Sequence, residues 1–439
     1  MLGSILFTIF FLGASYLFTR NVMKVRRNIL LGREVDLGGK ISERLSVMAR
    51  VALGQSKMMV RPVAGVMHVL IYLGFIIINI EMAEIIIDGI AGTHRIFTQF
   101  LPLGLYNFLI GAFEMLAAGV LLACVVFLAR RNILRLKRFG SKEMTTWPKS
   151  DANIILVTEI LLMCAFLTMN CSDGILQERG AEHYVRAGAF PISSLYASLL
   201  SGFSVEGLTI IERSCWWFHI LVILAFINYI PYSKHFHIFL AFPNTYYSNL
   251  EPKGEFTNLH AVTEEVKLML DPSAVPTAID PGAPPKRFGA KDVRDLTWKN
   301  LLDAYSCTEC GRCTSVCPAN QTGKLLSPRK IMMDTRDRLE EVGGNIDKHG
   351  VGHDDGKTLL NDYISSEELW ACTTCNACTD ACPVNIDPLS IIVDLRRYLV
   401  MEQSAAPVGL NNMFSNIENN GAPWQFSPAD RGNWVNDEK

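Results

Sequence analysis

Eight cysteines carry the first chemistry in this chain. Cys307, Cys310, Cys313 and Cys317 follow the spacing C-x2-C-x2-C-x3-C, with Pro318 next. Cys372, Cys375, Cys378 and Cys382 repeat it, with Pro383 next. Thiolates at this spacing ligate [4Fe–4S] clusters. Three from a tight loop hold three irons of one cubane, and the fourth, carried past the following turn, reaches the other cluster. The spacing therefore assigns Cys307, Cys310, Cys313 and Cys382 to cluster one. Cluster two takes Cys372, Cys375, Cys378 and Cys317. Zinc is the alternative, but structural zinc sites pair short, well-separated C-x2-4-C knuckles. Of the 12 cysteines, the other four (Cys124, Cys164, Cys171 and Cys215) lie in apolar runs. They read as buried small hydrophobes. Reduced ligating thiolates place this part of the chain in a reducing compartment.

Histidines in apolar runs are the second candidate set. Bis-histidine ligation of a haem b takes one imidazole from each of two facing helices. His68 lies near the start of the second apolar run, and His219 and His237 lie along the fifth. On a regular helix their 18-residue separation is five whole turns, so they share a face about 27 Å apart. His235 then points about 160° away from His219 and is not expected to ligate. The expected axial pair is His68 and His237. His219 has no obvious histidine partner. With Asn79, which faces nearly the same way as His68, it is expected to border a quinone or to hold a second haem. His94 and His183 read as surface histidines. Glu81, Glu84, Glu114 and Glu159 are carboxylates within apolar runs, and Glu81 and Glu84 fall close enough to the outer interface to be solvated.

Membrane-spanning helices must position these groups. The 439 residues carry a net charge of -2, which says little about partners. The mean hydropathy of +0.21 says more, because the apolar residues concentrate in the first 240 positions. Apolar runs at Leu2–Thr19, Val63–Ile87, Leu103–Ala129, Ala152–Cys171 and Leu208–Tyr232 are each long enough to cross about 30 Å of hydrocarbon. An interfacial stretch is expected near Pro191–Phe203. The first run has no preceding charge and is followed by Arg20, Lys24, Arg26 and Arg27, unlike a cleaved signal peptide. Arg20 to Arg61 holds ten Lys and Arg and Arg130 to Lys149 holds seven, whereas the opposite loops hold only Arg95, Arg179 and Arg186. The Lys/Arg-rich loops are cytoplasmic. The N-terminus is then outside, and the chain enters the cytoplasm at Lys234.

The fold class expected is an all-α membrane bundle of five transmembrane helices followed by a cytoplasmic, α-helical dicluster domain. Its parts are a five-helix unit at 1–245, a Pro-rich linker at 246–292, the dicluster domain at 293–402 and a polar tail at 403–439. In the linker, Pro252, Pro272, Pro276, Pro281, Pro284 and Pro285 break any long element, apart from a short helix at Thr263–Leu270. Arg329–Glu341 and Pro388–Met401 read as helices, and Gly343–Lys357 as a surface loop. The tail has the composition of a disordered end. Its spaced Met413, Phe414, Trp424, Phe426 and Trp434 suit docking of a partner. No nucleophile, hydrolytic triad, phosphate-binding loop or nucleic-acid patch is present.

The five-helix part resembles the cytochrome b (gamma) subunit of respiratory nitrate reductase and the membrane subunits of heterodisulfide-reductase-like complexes. His219 and Pro231-Tyr-Ser-Lys-His-Phe-His237 carry that resemblance, with His68. The family's second helix-two histidine falls near Ile78 or Asn79, where this chain departs. The C-terminal part resembles the iron–sulfur subunit of heterodisulfide reductases through Cys310-Gly-Arg-Cys313, Leu326-Ser-Pro-Arg329 and Cys382-Pro-Val-Asn-Ile386. Fused this way round, the chain looks like the first part of membrane oxidoreductases that connect electron-transferring flavoprotein to menaquinone. Those continue into CCG modules, so the resemblance implies a separate CCG-domain partner docked on the tail. It implies a quinone-linked oxidoreductase subunit in the cytoplasmic membrane. Two [4Fe–4S] clusters and haem b would carry electrons between the soluble partner and menaquinone. A redox sensor or assembly anchor that holds clusters without turnover is the reading from another class.

Overall fold

Five apolar runs become five long helices, and every other element is placed by their ends. The computed structural model describes residues 1–252, 254–271, 273, 287–425 and 427–437. In chain order the first half contains α1 (Leu2–Ile29), α2 (Ile41–Met48), α3 (Pro62–Ala91), α4 (Leu103–Asn132), α5 (Trp147–Glu178), α6 (Ala197–Leu200), α7 (Val205–Tyr229) and α8 (His237–Tyr246). The second contains α9 (His260–Leu270), α10 (Trp298–Ser306), α11 (Arg312–Val316), α12 (Pro318–Gln321), α13 (Pro328–His349) and α14 (Leu359–Asp362). It closes with α15 (Ser366–Trp370), α16 (Ala377–Ala381), α17 (Pro388–Met401), α18 (Val408–Asn420) and α19 (Trp434–Asp437). Among the described residues the only β pairing is two isolated bridges.

Helices α1, α3, α4, α5 and α7 are long and apolar enough to cross a membrane. Local chemistry sets their ends. Pro62 starts α3 where its missing N–H costs nothing, and Ser204 caps α7 by accepting from Gly207 N. Arg26 and Arg27 end α1, and Arg130 and Arg131 end α4, each favourable at the negative end of a helix dipole. Half of the apolar window of α5 is buried, against 6% of that of α1. So α5 is the centre of the bundle, packed on α4 and α7, and α1 lies at its edge. The expected interfacial stretch is a 3-10 turn (Ser193–Tyr196) running into α6. Its first backbone N–H groups, on Ile192 and Ser193, donate to Glu114 of α4.

The bundle and the dicluster domain share one core. Val25 and Ile29 of α1, with Ile230 and Phe236, are buried together with Leu301, Ile331, Leu339, Ile391, Ile392 and Leu395. Burying such side chains stabilises by roughly 1.5–3 kcal/mol each, enough to fix one unit on the other. The basic end of α1 does not stop at Thr19 but runs on to dock. Arg27 donates to Gly343 O at 3.0 Å, Lys24 pairs with Asp347 at 2.9 Å, and Asn28 donates to Tyr305 at 3.0 Å.

Some expectations need correction. The loop expected at Gly343–Lys357 is helical as far as His349. Gly343 is there for room, since a Cβ would stand 2.5 Å from the Asn28 amide. The tail is not shapeless: α18 forms, while Phe414, Trp424 and Trp434 stay exposed. Cys164 is exposed on α5 rather than buried. The linker helix starts earlier, at His260. Pro272, Pro276, Pro281, Pro284, Pro285 and Phe426 lie outside the described residues.

Candidate metal centres

The two cysteine runs fold into copies of one loop. A short helix delivers the first cysteine: α10, opened by a Thr297–Asn300 capping box, for Cys307, and α15, opened by a Ser365–Glu368 box, for Cys372. Then the residues two and four places after that cysteine take left-handed backbone. They are Glu309 (φ 55°) and Gly311 (φ 70°) in the first copy, Thr374 (φ 56°) and Asn376 (φ 60°) in the second. Two such residues in so short a loop curl the chain, and in the first copy the three cysteines line one cavity. Helices α11 and α16 follow, packed side by side. Thr374 N donates to Cys372 Sγ at 3.4 Å and Ile386 N to Cys382 Sγ at 3.3 Å.

Cys307, Cys310, Cys313 and Cys382 line one cavity, with Arg312, Met332, Val384 and Ile386, and Cys317 is not part of its wall. Among the described residues no three His, Cys, Asp or Glu groups are placed to hold one metal ion. Four thiolates on one zinc stand about 3.8 Å apart, given Zn–S bonds of about 2.3 Å. Four cysteine thiols around one cavity, three of them from one loop, are the donor set of a [4Fe–4S] cluster. Burial pushes the Cys307 thiol up to about 11 and those of Cys378 and Cys382 to about 12. Their negative charge at neutral pH therefore needs the iron.

Cations surround this cavity and tie it to the bundle. Arg312 donates to the carbonyls of Lys57 at 2.7 Å and Met58 at 3.2 Å, and Lys57 donates to Cys382 O at 3.2 Å. Arg329 is fully buried and donates to Arg138 O (2.6 Å), Ser141 Oγ (2.8 Å) and Glu143 (2.7 Å), all in the α4–α5 connection. A Cβ on Gly311 would come within 2.5 Å of Arg329 Nη1. Glu309 is clasped by Arg336 at 2.6 Å and by Lys234. Burial alone would raise the Glu309 carboxyl, but Arg336 and Lys234 hold it below its usual range.

The histidines meet at the same end. His68 and His237 have ring centroids 6.4 Å apart. A metal between two imidazoles, about 2 Å from each nitrogen, sets the centroids about 6 Å apart. His237 Nδ1 bonds Lys234 O at 3.0 Å, which leaves Nε2 for a metal, and His68 Nδ1 is buried with no partner. Arg312, between Cys310 and Cys313, bonds the carbonyls of Lys57 and Met58, just before the helix that carries His68.

The route to this pair is not the one the sequence suggested. Helix α7 ends at Tyr229, a 3-10 turn carries Pro231, Ser233 is extended, and α8 begins at His237. The five-turn phase argument fails, because proline cannot continue the hydrogen-bond ladder. His235 does not point away either. Its ring lies 5.7 Å from His237 and 5.5 Å from Phe226.

The expected pairing of Asn79 with His219 is also not formed. Asn79 is exposed and turns its amide back to Phe75 O on its own helix. His219 is buried against α5, with Nδ1 3.2 Å from Leu162 O and its ring 6.1 Å from Phe166.

Comparison with known proteins decides the class. Residues 306–386 match the 4Fe-4S dicluster domain family. A probable iron-sulfur-binding oxidoreductase, FadF of Bacillus subtilis, is 30% identical over 98% of this chain and 60% of its own length. The homologues of this chain are iron–sulfur oxidoreductases. The EtfAB:quinone oxidoreductase of Syntrophomonas wolfei is 27% identical over 93% of this chain and 56% of its own. A polypeptide of the dihydromethanophenazine:CoB–CoM heterodisulfide reductase of Methanosarcina mazei is 29% identical over 34% of this chain and 37% of its own. The chain thus spans less than two thirds of the length of these relatives. No solved structure matches it.

A polar network at the far end of the bundle from the dicluster domain was missed. Arg95 is buried and donates to Asp173 (2.6 Å), Tyr106 (3.0 Å), Asn170 (3.1 Å) and, through its backbone, Asp88 (2.7 Å). Glu84 accepts from Phe97 N at 2.9 Å and Tyr106 at 3.0 Å, and Glu81 is buried with one oxygen unpartnered. So Glu81 and Glu84 are not solvated. His94, 3.8 Å from Asp173, is no free surface histidine, whereas His183 is exposed. The signal was there: Glu81, Glu84 and Asp88 recur at i, i+3 and i+7, one face of a helix.

Proposed function

We propose that this chain is a membrane-anchored electron-transfer subunit. It would exchange electrons between a soluble redox partner and the menaquinone pool through two [4Fe–4S] clusters and one haem b. The observation that carries the reading is the His68–His237 pair, 6.4 Å apart and tied through Lys234 to Glu309 in the loop of cluster one. The name of the EtfAB:quinone oxidoreductase relative, aligned over 93% of this chain, supports electron-transferring flavoprotein and quinone as the two ends. A CCG-domain protein is the further partner. The Lys/Arg bias of the loops supports a cytoplasmic dicluster domain and an N-terminus outside.

Each residue has a task in this reading. Cys307, Cys310, Cys313 and Cys382 hold cluster one, and Cys372, Cys375, Cys378 and Cys317 hold cluster two. His68 and His237 would hold the haem, and the Lys234 carbonyl fixes the His237 ring through Nδ1. His219, anchored by Leu162 O, is the contact for a second haem or for the quinone. Arg312 and Lys57 tie the loop of cluster one and Cys382 to the segment that leads into α3. When bound, the clusters and haem supply one-electron exchange.

The test is turnover. The chain purified with its clusters, its haem and its CCG-domain partner is mixed with reduced flavoprotein and a soluble menaquinone analogue. Quinone reduction that disappears in His68→Ala supports the reading. Full cofactor content without turnover in either direction would leave the sensor or anchor reading in its place.

A further inference from the structure

The connection between α4 and α5, at the bundle end that meets the dicluster domain, borders an open cleft of about 450 Å³. Arg131, Arg135 and Lys149 line it, and no carboxylate is among its lining residues. Arg131 lies over the Phe139 ring at 4.6 Å, and its Nε is buried with no hydrogen-bond partner. Arg131 is half-buried while Arg135 and Lys149 are exposed at the mouth, so the cleft presents positive charge to an anion arriving from the membrane surface.

The depth of the cleft says which anion. Helix α4 has 30 residues, about 45 Å at about 1.5 Å per residue, against about 30 Å of hydrocarbon. Its last turn, with Arg130 and Arg131, therefore emerges among lipid headgroups. Next to it Ile133 and Leu134 are 77% and 65% exposed, and Trp147 at the start of α5 is 50% exposed. Trp at this level is an interfacial anchor. A cationic pocket with an apolar rim suits a phosphate that carries hydrocarbon.

We propose that this cleft binds the phosphate of an anionic phospholipid, held by Arg131, Arg135 and Lys149, with Ile133 and Leu134 against its acyl chains. Basic pockets between membrane helices take such headgroups. The same connection supplies Arg138 O, Ser141 and Glu143 to Arg329, so a bound lipid braces the segment that backs the loop of cluster one.

The test uses the full chain with its clusters, delipidated in detergent and read by native mass spectrometry. Phosphatidylglycerol and phosphatidylcholine are added in equal amounts, with and without excess inorganic phosphate. Each Lys or Arg at the surface shifts anionic-lipid binding about fivefold. Expected are one retained phosphatidylglycerol, a preference over phosphatidylcholine, about fivefold weaker retention in Arg135→Gln and about 25-fold in Arg131→Gln/Arg135→Gln. Iron content reports folding, and Lys149→Gln, on the other helix, carries the same fivefold expectation if the double variant does not fold. Equal retention of the two lipids, or unchanged retention in the variants, would overturn the proposal. Displacement of the lipid by inorganic phosphate would reduce the site to a free-phosphate site and overturn it equally.

Discussion

Removing His237 tests the axial pair most sharply, because the structure says what can replace it. The metal would sit midway between rings whose centroids are 6.4 Å apart. In His237→Ala the vacated side is a gap that water can fill but no neighbouring imidazole can. The nearest, His235, has its centroid 5.7 Å from that of His237 and would have to travel that distance. Loss of partners that merely orient a ligand costs about 10–100-fold in metal affinity, and loss of the ligand itself should cost at least as much. The expected outcome is a haem content reduced at least tenfold, or a residual haem converted from low to high spin. His68→Ala should behave the same way. His235→Ala should keep one low-spin haem per chain. Haem is quantified by the pyridine haemochrome, and spin state by optical and electron paramagnetic spectra. If His235→Ala removes the haem while His237→Ala keeps it, the pairing argued here is wrong and the ring separation is a coincidence of packing.

Cys317→Ser should perturb the cluster held by Cys372, Cys375 and Cys378; a magnetic-resonance signature altered only at the Cys307–Cys313 cluster would reject the crossover. Glu309→Gln keeps the shape but leaves Lys234 and Arg336 as buried cations. Breaking a buried pair this way costs about 3–5 kcal/mol, and loss of cluster absorbance in urea should move to lower concentration by that equivalent; less than about 1 kcal/mol would show the site relaxed. Hydrogen bonds from Arg338 hold the Asp355 carboxyl down at about 2, against about 3.9 unfolded. Asp355 lies near the surface, so after solvent screening the shift corresponds to about 1 kcal/mol of stability. A depressed pKa stabilises above the unfolded value and loses that effect as pH falls through the folded one. Asp355→Asn should therefore cost about 1 kcal/mol at pH 7 and almost nothing near pH 2, by denaturant unfolding.

What the sequence made legible was local. A cysteine loop is specified within eleven residues, Cys307 to Cys317, and a membrane helix by the length of one apolar run. Both were found without knowing anything about neighbours. Position 343 shows the limit. Gly-Gly in sequence is a breaker signal, yet α13 runs through it because Asn28, 315 positions away, needs the space. Arg95 shows it again. As a loop charge it counts toward orientation, and only the packing of α3, α4 and α5 reveals it as the centre of a buried network. Pro231 announces a break that is readable in the sequence, and the regular helical phase ends before it, at Tyr229.

That break is what brings the two halves of the site together. Asp151, on α5, accepts from the Ser233 hydroxyl at 2.6 Å and from Lys234 N at 3.1 Å, and it pairs with the Tyr229 hydroxyl. One carboxylate on the central helix thus holds the end of α7 and the turn that follows. On one side of that turn the Lys234 carbonyl fixes His237 against His68. On the other the Lys234 ammonium reaches Pro148 O at 2.6 Å and the Glu309 carboxylate inside the loop of cluster one. An unbroken helix could present His237 or Lys234 to these partners, but not both, since residues three apart share a face. The kink lets backbone and side chain of a single lysine serve the histidine pair and the cysteine loop at once. Lys234 thus adds, to the shared core and to the ties made by Arg312, Lys57 and Arg329, the one contact that reaches both centres directly.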